Sequence, residues 1–178
     1  MNRTLALGRV IRTPALGRVI RTLALGLLLA MPTLATAGAQ PAPGSLRMPV
    51  ASGCLSSPFG PRRAIGPQAP AMFHTGVDLP APAGGIVVAV APGQVASIHK
   101  RGAGGLEVVV RHPGYTAIYA HLGSVAPALA EGRTTLAAGD PIGVVGRTGV
   151  TYGTHLFFGV LLDGKPIDPA PLLGARAC

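Results

Sequence analysis

The chain has 178 residues and a formal net charge of +9, from 15 Lys and Arg against 6 Asp and Glu. Trp is absent, charged residues make up only 12%, and 26 Gly and 18 Pro punctuate the sequence. Such a composition excludes a bundle of long helices, because Gly and Pro interrupt helices and favour turns. The lack of any basic run interleaved with aromatics argues against nucleic acid as a partner.

In chain order, the first element is a leader. Arg3, Arg9, Arg12, Arg18 and Arg21 precede an apolar run from Leu23 to Leu34, followed by Ala35-Thr36-Ala37. A positive start, a short apolar stretch and a small-x-small site predict a secretory signal peptide over residues 1–37. The apolar run is short for a membrane span and contains Pro32, so no span is expected once the leader is removed. Within the leader, Ala6 to Thr13 recurs as Ala15 to Thr22. Two copies do not make a repeat fold; they read as a local duplication or as a misassigned start. Without the five leader Arg the charge falls to +4. That mild excess suits anionic polymers of a cell envelope. Export to the periplasm or the exterior is therefore expected.

Residues 38–52 are rich in Pro, Ala and Gly with no period, and predict a linker. Residues 53–174 then read as strands separated by turns, with 175–178 as a tail. Ile86 to Val90 is a buried apolar run, and Pro92-Gly93 turns the chain into Gln94 to Lys100. Leu106 to His112 and Tyr115 to His121 form a predicted hairpin around Pro113-Gly114, with Gly at the third turn position. Ser124 to Ala130 is the one candidate for a helical turn. Ile142 to Val145 and His155 to Leu162 are further strands, and Asp163-Gly164 is a strong hairpin signal. The sum is an all-β domain of antiparallel pairs. Cys54 and Cys178 are the only cysteines. In an oxidising compartment an even count favours a disulfide; two free thiols are the alternative, which geometry decides. Cys54 lies too far beyond the apolar run to be a lipoprotein cysteine.

Three islands hold the histidines that could carry chemistry. In Phe73-His74-Thr75-Gly76-Val77-Asp78, an extended strand places His74 and Asp78 on one face, with Gly76 between them leaving room for an ion. Imidazole and carboxylate are ordinary zinc ligands. The second island is Tyr119-Ala120-His121-Leu122. The third is Gly153-Thr154-His155-Leu156-Phe157-Phe158-Gly159, where His155 and Phe157 share a face. His99, within a strand, and His112, beside a turn, read as exposed surface histidines. Taken singly, each island is a weak signal.

Together with Ser57-Pro58-Phe59-Gly60-Pro61-Arg62, the glycines Gly93, Gly139, Gly143, Gly146 and Gly149, and the closing Asp163-Gly164-Lys165-Pro166-Ile167-Asp168-Pro169, they resemble the LytM/lysostaphin-type zinc peptidases over residues 53 to 173. The resemblance implies an antiparallel two-layer β fold with a groove. It also implies cleavage of peptide cross-links in peptidoglycan. By the same resemblance His74 and Asp78 correspond to zinc ligands. His121 corresponds to a histidine that stabilises the oxyanion or the water, and His155 to a general base acting on that water.

The chain departs from that pattern at the third zinc ligand. The second histidine of the HxH motif is Phe157, and the acidic residue that follows in the family is Gly159. A phenyl ring offers no lone pair, and catalytic zinc normally keeps three protein ligands. His155 could replace the missing ligand only by ceasing to be the base. The expectation is a non-catalytic or impaired domain that binds peptidoglycan peptides or regulates a wall hydrolase such as an amidase. The alternative is an active zinc endopeptidase, favoured by retention of His74, Asp78, His121 and His155; a plain structural spacer is a weaker third. Zinc, if any is bound, has an incomplete ligand set, and whether the chain is an enzyme stays open at this point.

Overall fold

The structure, a computed structural model, describes residues 40–64 and 71–178. The expected signal peptide, 1–37, lies outside the described residues.

Short strands run along the described chain as the turn signals dictate. In order they are β1 (Cys54–Leu55), β2 (Gly60–Arg62), β3 (Met72–His74), β4 (Val77–Pro80), β5 (Ile86–Val88), β6 (Gly93–Arg101), β7 (Gly105–His112) and β8 (Tyr115–Val125). After a single helical turn, α1 (Pro127–Ala130), come β9 (Thr135–Leu136), β10 (Pro141–Val145), β11 (His155–Leu162) and β12 (Lys165–Ile167). A second short helix, α2 (Ala170–Leu173), leads to β13 (Arg176–Ala177). The predicted helical turn over Ser124 to Ala130 is shorter than expected. Ser124 and Val125 extend β8, and the helix starts at Pro127, whose fixed φ suits a first helical position.

The main sheet runs β12-β11-β8-β7-β6-β9, with β4 paired to β11 and β10 paired to both β5 and β8, all antiparallel. The β7–β8 hairpin has the predicted register, His112 opposite Tyr115, and Gly114 takes φ +86° as its turn requires. Asp163 and Gly164 both have positive φ, the signature of the tight hairpin that joins β11 to β12. Alternation sets the core. Val108 and Val110 of β7, Ala117 and Tyr119 of β8, and Leu156, Phe158 and Val160 of β11 are fully buried. The Tyr119 and Phe158 rings pack against each other at a tilt, with centroids 5.3 Å apart. The Tyr119 hydroxyl accepts the Val90 N–H at 3.0 Å, and burial pushes its pKa well above the usual phenol value.

Two segments outside the expected domain pack onto it. The described part of the 38–52 stretch is more than a spacer. Leu46 and Val50 are buried in the core, and Gly44 and Leu46 donate to Pro171 and Leu172 carbonyls at 2.9 and 3.1 Å. Averaging over a Pro/Gly-rich window hides two apolar residues that find partners elsewhere. The 175–178 tail is likewise tied down. β13 pairs in parallel with β1, and Cys178 forms a disulfide with Cys54. Among the described residues no helix is long and apolar enough to cross a membrane.

His112 corrects a sequence expectation. Its ring is buried rather than exposed, stacked on Tyr115 at 4.6 Å with Nδ1 donating to the Pro92 carbonyl at 2.8 Å. His99 lies partly exposed and paired with Glu107 at 2.8 Å. Burial lowers the pKa of His112 below the usual 6.5, with the Pro92 bond opposing in part. Below pH 6.5 the unfolded chain therefore takes up a proton that the folded chain refuses. Stability should fall as pH drops from 6.5 toward the depressed folded value, and stay flat above it. Urea unfolding at pH 7.5 and 5.5 reads this, and His112→Gln should shrink the difference. An unchanged difference in that variant would reject the assignment to His112.

Candidate active site

Register brings the expected site residues together. On β11, Phe157 lies directly opposite Asp78 of β4 and Ala120 of β8. Directly opposed residues of an antiparallel pair point to the same face, so Phe157 stands beside Asp78. β4 is fixed from its other side, where Ser56 N–H donates to the Asp78 carbonyl and Asp78 N–H donates to Ser57, both at 2.9 Å. His74 ends β3, paired with Gly60 of β2.

His121 and His155 complete the cluster, 4.9 Å apart between ring centroids. His121 adopts φ +62°, a left-handed conformation rare for a residue with a side chain. Such backbone costs on the order of 1–3 kcal/mol and persists only where surroundings enforce it. Here the enforcing contacts are His121 N–H to Gly104, Gly146 N–H to the His121 carbonyl, and Nδ1–H to the Thr148 carbonyl at 2.9 Å. A surface cavity of about 430 Å³ elsewhere on the fold, lined by Pro92, Arg111, His112 and Leu136 among others, contains none of these residues.

Each site histidine has Nδ1 against a carbonyl: Pro58 for His74 at 2.8 Å, Thr148 for His121 and Gly153 for His155 at 3.2 Å. A carbonyl only accepts, so Nδ1 carries the proton and, in a neutral ring, Nε2 offers its lone pair. The Nε2 atoms of His74 and His155 lie 3.2 and 3.4 Å from Asp78 Oδ1. Burial alone would raise the Asp78 pKa. The His74 hydrogen bond and the positive charges of His155, His74 and Arg62 outweigh it and hold the carboxyl below 3.8. His155 is shifted down, chiefly by burial, with the Asp78 charge acting against that.

Zinc was the implied occupant, and the side chains present do not fit it. Phe157 holds the third-ligand position, its ring 5.4 Å from the His74 imidazole and 6.3 Å from that of His121. Gly76, expected to leave room for an ion, makes room instead for this phenyl ring. A Cβ there would lie 2.7 Å from Phe157 Cζ and 2.5 Å from the Phe158 carbonyl oxygen. Among the described residues no three His, Cys, Asp or Glu side chains are arranged to hold a metal. The sequence reading also gave Arg62 no role. In the structure its guanidinium contacts His74 and forms an ion pair with Asp78. Nothing in the sequence marks that contact except the place of Arg62 at the end of the Ser57 to Arg62 island.

Known proteins resemble the chain over this same region. The family description "Peptidase family M23" matches residues 72–169. The DD-carboxypeptidase/endopeptidase Mpg of Neisseria meningitidis is 35% identical over 120 residues, which cover 65% of this chain and 26% of that protein. The chain thus spans about a quarter of the length of that relative. Among solved structures, Helicobacter pylori Csd3 superposes with a TM-score of 0.58 at 31% identity, covering 70% of this chain and 33% of Csd3. A zinc-containing peptidase from Vibrio cholerae gives 0.57 at 26% identity, covering 78% and 39%.

Proposed function

The chain belongs to peptidase family M23, and on that premise we propose that it is an exported, non-catalytic member that binds peptidoglycan peptides or regulates a wall hydrolase such as an amidase. The observation that carries the reading is Phe157 facing Asp78, where an M23 peptidase of this type would place its third zinc ligand. Losing even a residue that supports a metal ligand costs about 10–100-fold in affinity or activity, and losing a ligand costs more. An apolar ring there also raises the cost of seating an ion. The retained polar groups support peptide binding. His121 holds Nδ1 on the Thr148 carbonyl, which leaves Nε2 to accept a peptide N–H. The mildly basic charge without the leader suits an anionic wall polymer.

A working zinc endopeptidase is the second reading. It is favoured by the Nε2 atoms of His74 and His155 flanking one oxygen of Asp78. One pair of measurements separates the two. Purified protein, dialysed against micromolar free zinc, is expected to retain none and to release no peptide from cross-linked peptidoglycan. Stoichiometric zinc together with peptide release that His155→Ala abolishes would establish the enzyme instead.

A further inference from the structure

The cavity of about 430 Å³ beside His112 holds none of the site histidines, and the polar residues around it form a row. Thr135 of β9 lies opposite Gln94 of β6, Gln94 opposite Arg111 of β7, and Arg111 opposite Thr116 of β8. Directly opposed residues of antiparallel pairs share a face, so the four side chains stand side by side across four strands. Thr135, Gln94 and Arg111 line the cavity, and Pro92 and Pro113 wall it with aliphatic surface. Among the described residues the Arg111 guanidinium has no acidic partner, whereas Arg133 pairs with Asp140 and Arg62 with Asp78. None of the four residues belongs to the islands by which the chain resembles zinc peptidases. The row lies five residues along β8 from His121, roughly 16 Å at the rise of a strand.

We propose that this row is a second binding site, for a sugar that carries a carboxylate. The Gln94 amide and the two threonine hydroxyls both donate and accept, as the hydroxyls of a sugar do. The planar fork of Arg111 matches a carboxylate with two parallel hydrogen bonds. Pro92 and Pro113 offer aliphatic surface to the C–H face of a pyranose ring. The cavity lies within the range of roughly 300–1,000 Å³ typical of small-ligand sites. An extended peptide finds no seat here, because β6 and β7 are each paired on both sides at this row and leave no open backbone edge. The proposal extends the wall-binding reading above and rests on it for the source of the sugar: the histidine cluster meets the peptides of the wall, and this row an acidic sugar of its glycan.

N-acetylmuramic acid, an amino sugar with a free carboxylate, is titrated into the unaltered protein while the amide NMR shifts are followed. Saturable shifts at Gln94, Arg111 and Thr135, with none at His121, are expected. N-acetylglucosamine, the same ring without the carboxylate, should bind at least tenfold more weakly, and so should N-acetylmuramic acid to Arg111→Gln. The Arg111 side chain is exposed, so that variant should keep the dispersed spectrum of the folded protein. If it does not, Gln94→Ala combined with Thr135→Val is held to the same loss. Acetate binding as tightly as the sugar would mean a bare anion site and overturn the proposal, as would the lack of any saturable shift at millimolar sugar. Sugar shifts at this row without binding of wall peptides at the histidines support the proposal while removing the peptide reading of that cluster.

Discussion

Phe158→Ala lowers the unfolding free energy by about 3–5 kcal/mol, the range for removing a buried aromatic ring from a core. Phe158 is fully buried, packs its ring at a tilt against Tyr119, and lies opposite Tyr119 and Val77 in the register of β11 with its two neighbours. Both flanking strands are anchored in the sheet, so the cavity has little freedom to collapse. The adjacent Phe157 is the internal control. It points to the opposite, site-bearing face and is only partly buried. Phe157→Ala should therefore cost clearly less. Urea unfolding with an unchanged slope and a lowered midpoint is the expected form of the result. A loss below about 1 kcal/mol for Phe158→Ala would mean that this ring is not the keystone its burial implies.

The second large effect is covalent. Breaking the Cys54–Cys178 disulfide, by reduction or by Cys54→Ser with Cys178→Ser, should lower stability by about 2–5 kcal/mol. The bond spans 124 residues of sequence. In the chain-entropy picture a loop of that order constrains the unfolded state by close to 5 kcal/mol, an upper figure that residual structure reduces. The folded state loses order as well, because β1 and β13 are each two residues long. Unfolding with and without reductant measures the effect. Thiol titration of the unreduced folded protein should find no free sulfhydryl, and two reactive thiols there would reject the bridge.

How far the sequence carried this picture depends on whether a contact is local. Hairpins were legible because Pro113-Gly114 and Asp163-Gly164 state their turns within four residues. The core strands were legible because Val108, Val110 and Leu156, Phe158, Val160 alternate. His74, Asp78, His121 and His155 stood out through the resemblance, and the fold unites them. The rest depended on what packs against what. Gly76 looked like space for an ion, and only the pairing of β11 with β4 shows that a phenyl ring uses it. His112 looked exposed beside a turn, yet Tyr115 and Pro92 enclose it. Arg62 stands 16 residues from Asp78 across a stretch of chain whose path no periodicity reveals. Leu46 and Val50 were lost in the average of a Pro-rich window.

The link between Cys54 and Cys178 also decides how the domain bears load. A pull entering the chain at Cys54 and leaving at Cys178 passes straight through one sulfur–sulfur bond, since the two residues are joined directly and their Cα atoms are 5.1 Å apart. None of the strands between them is stretched. A fold assembled from short hydrogen-bonded strands would otherwise unzip from its two-residue outer pair, β1 with β13. With the bond intact, the strands between the two cysteines carry none of that tension, and the site they build keeps its geometry.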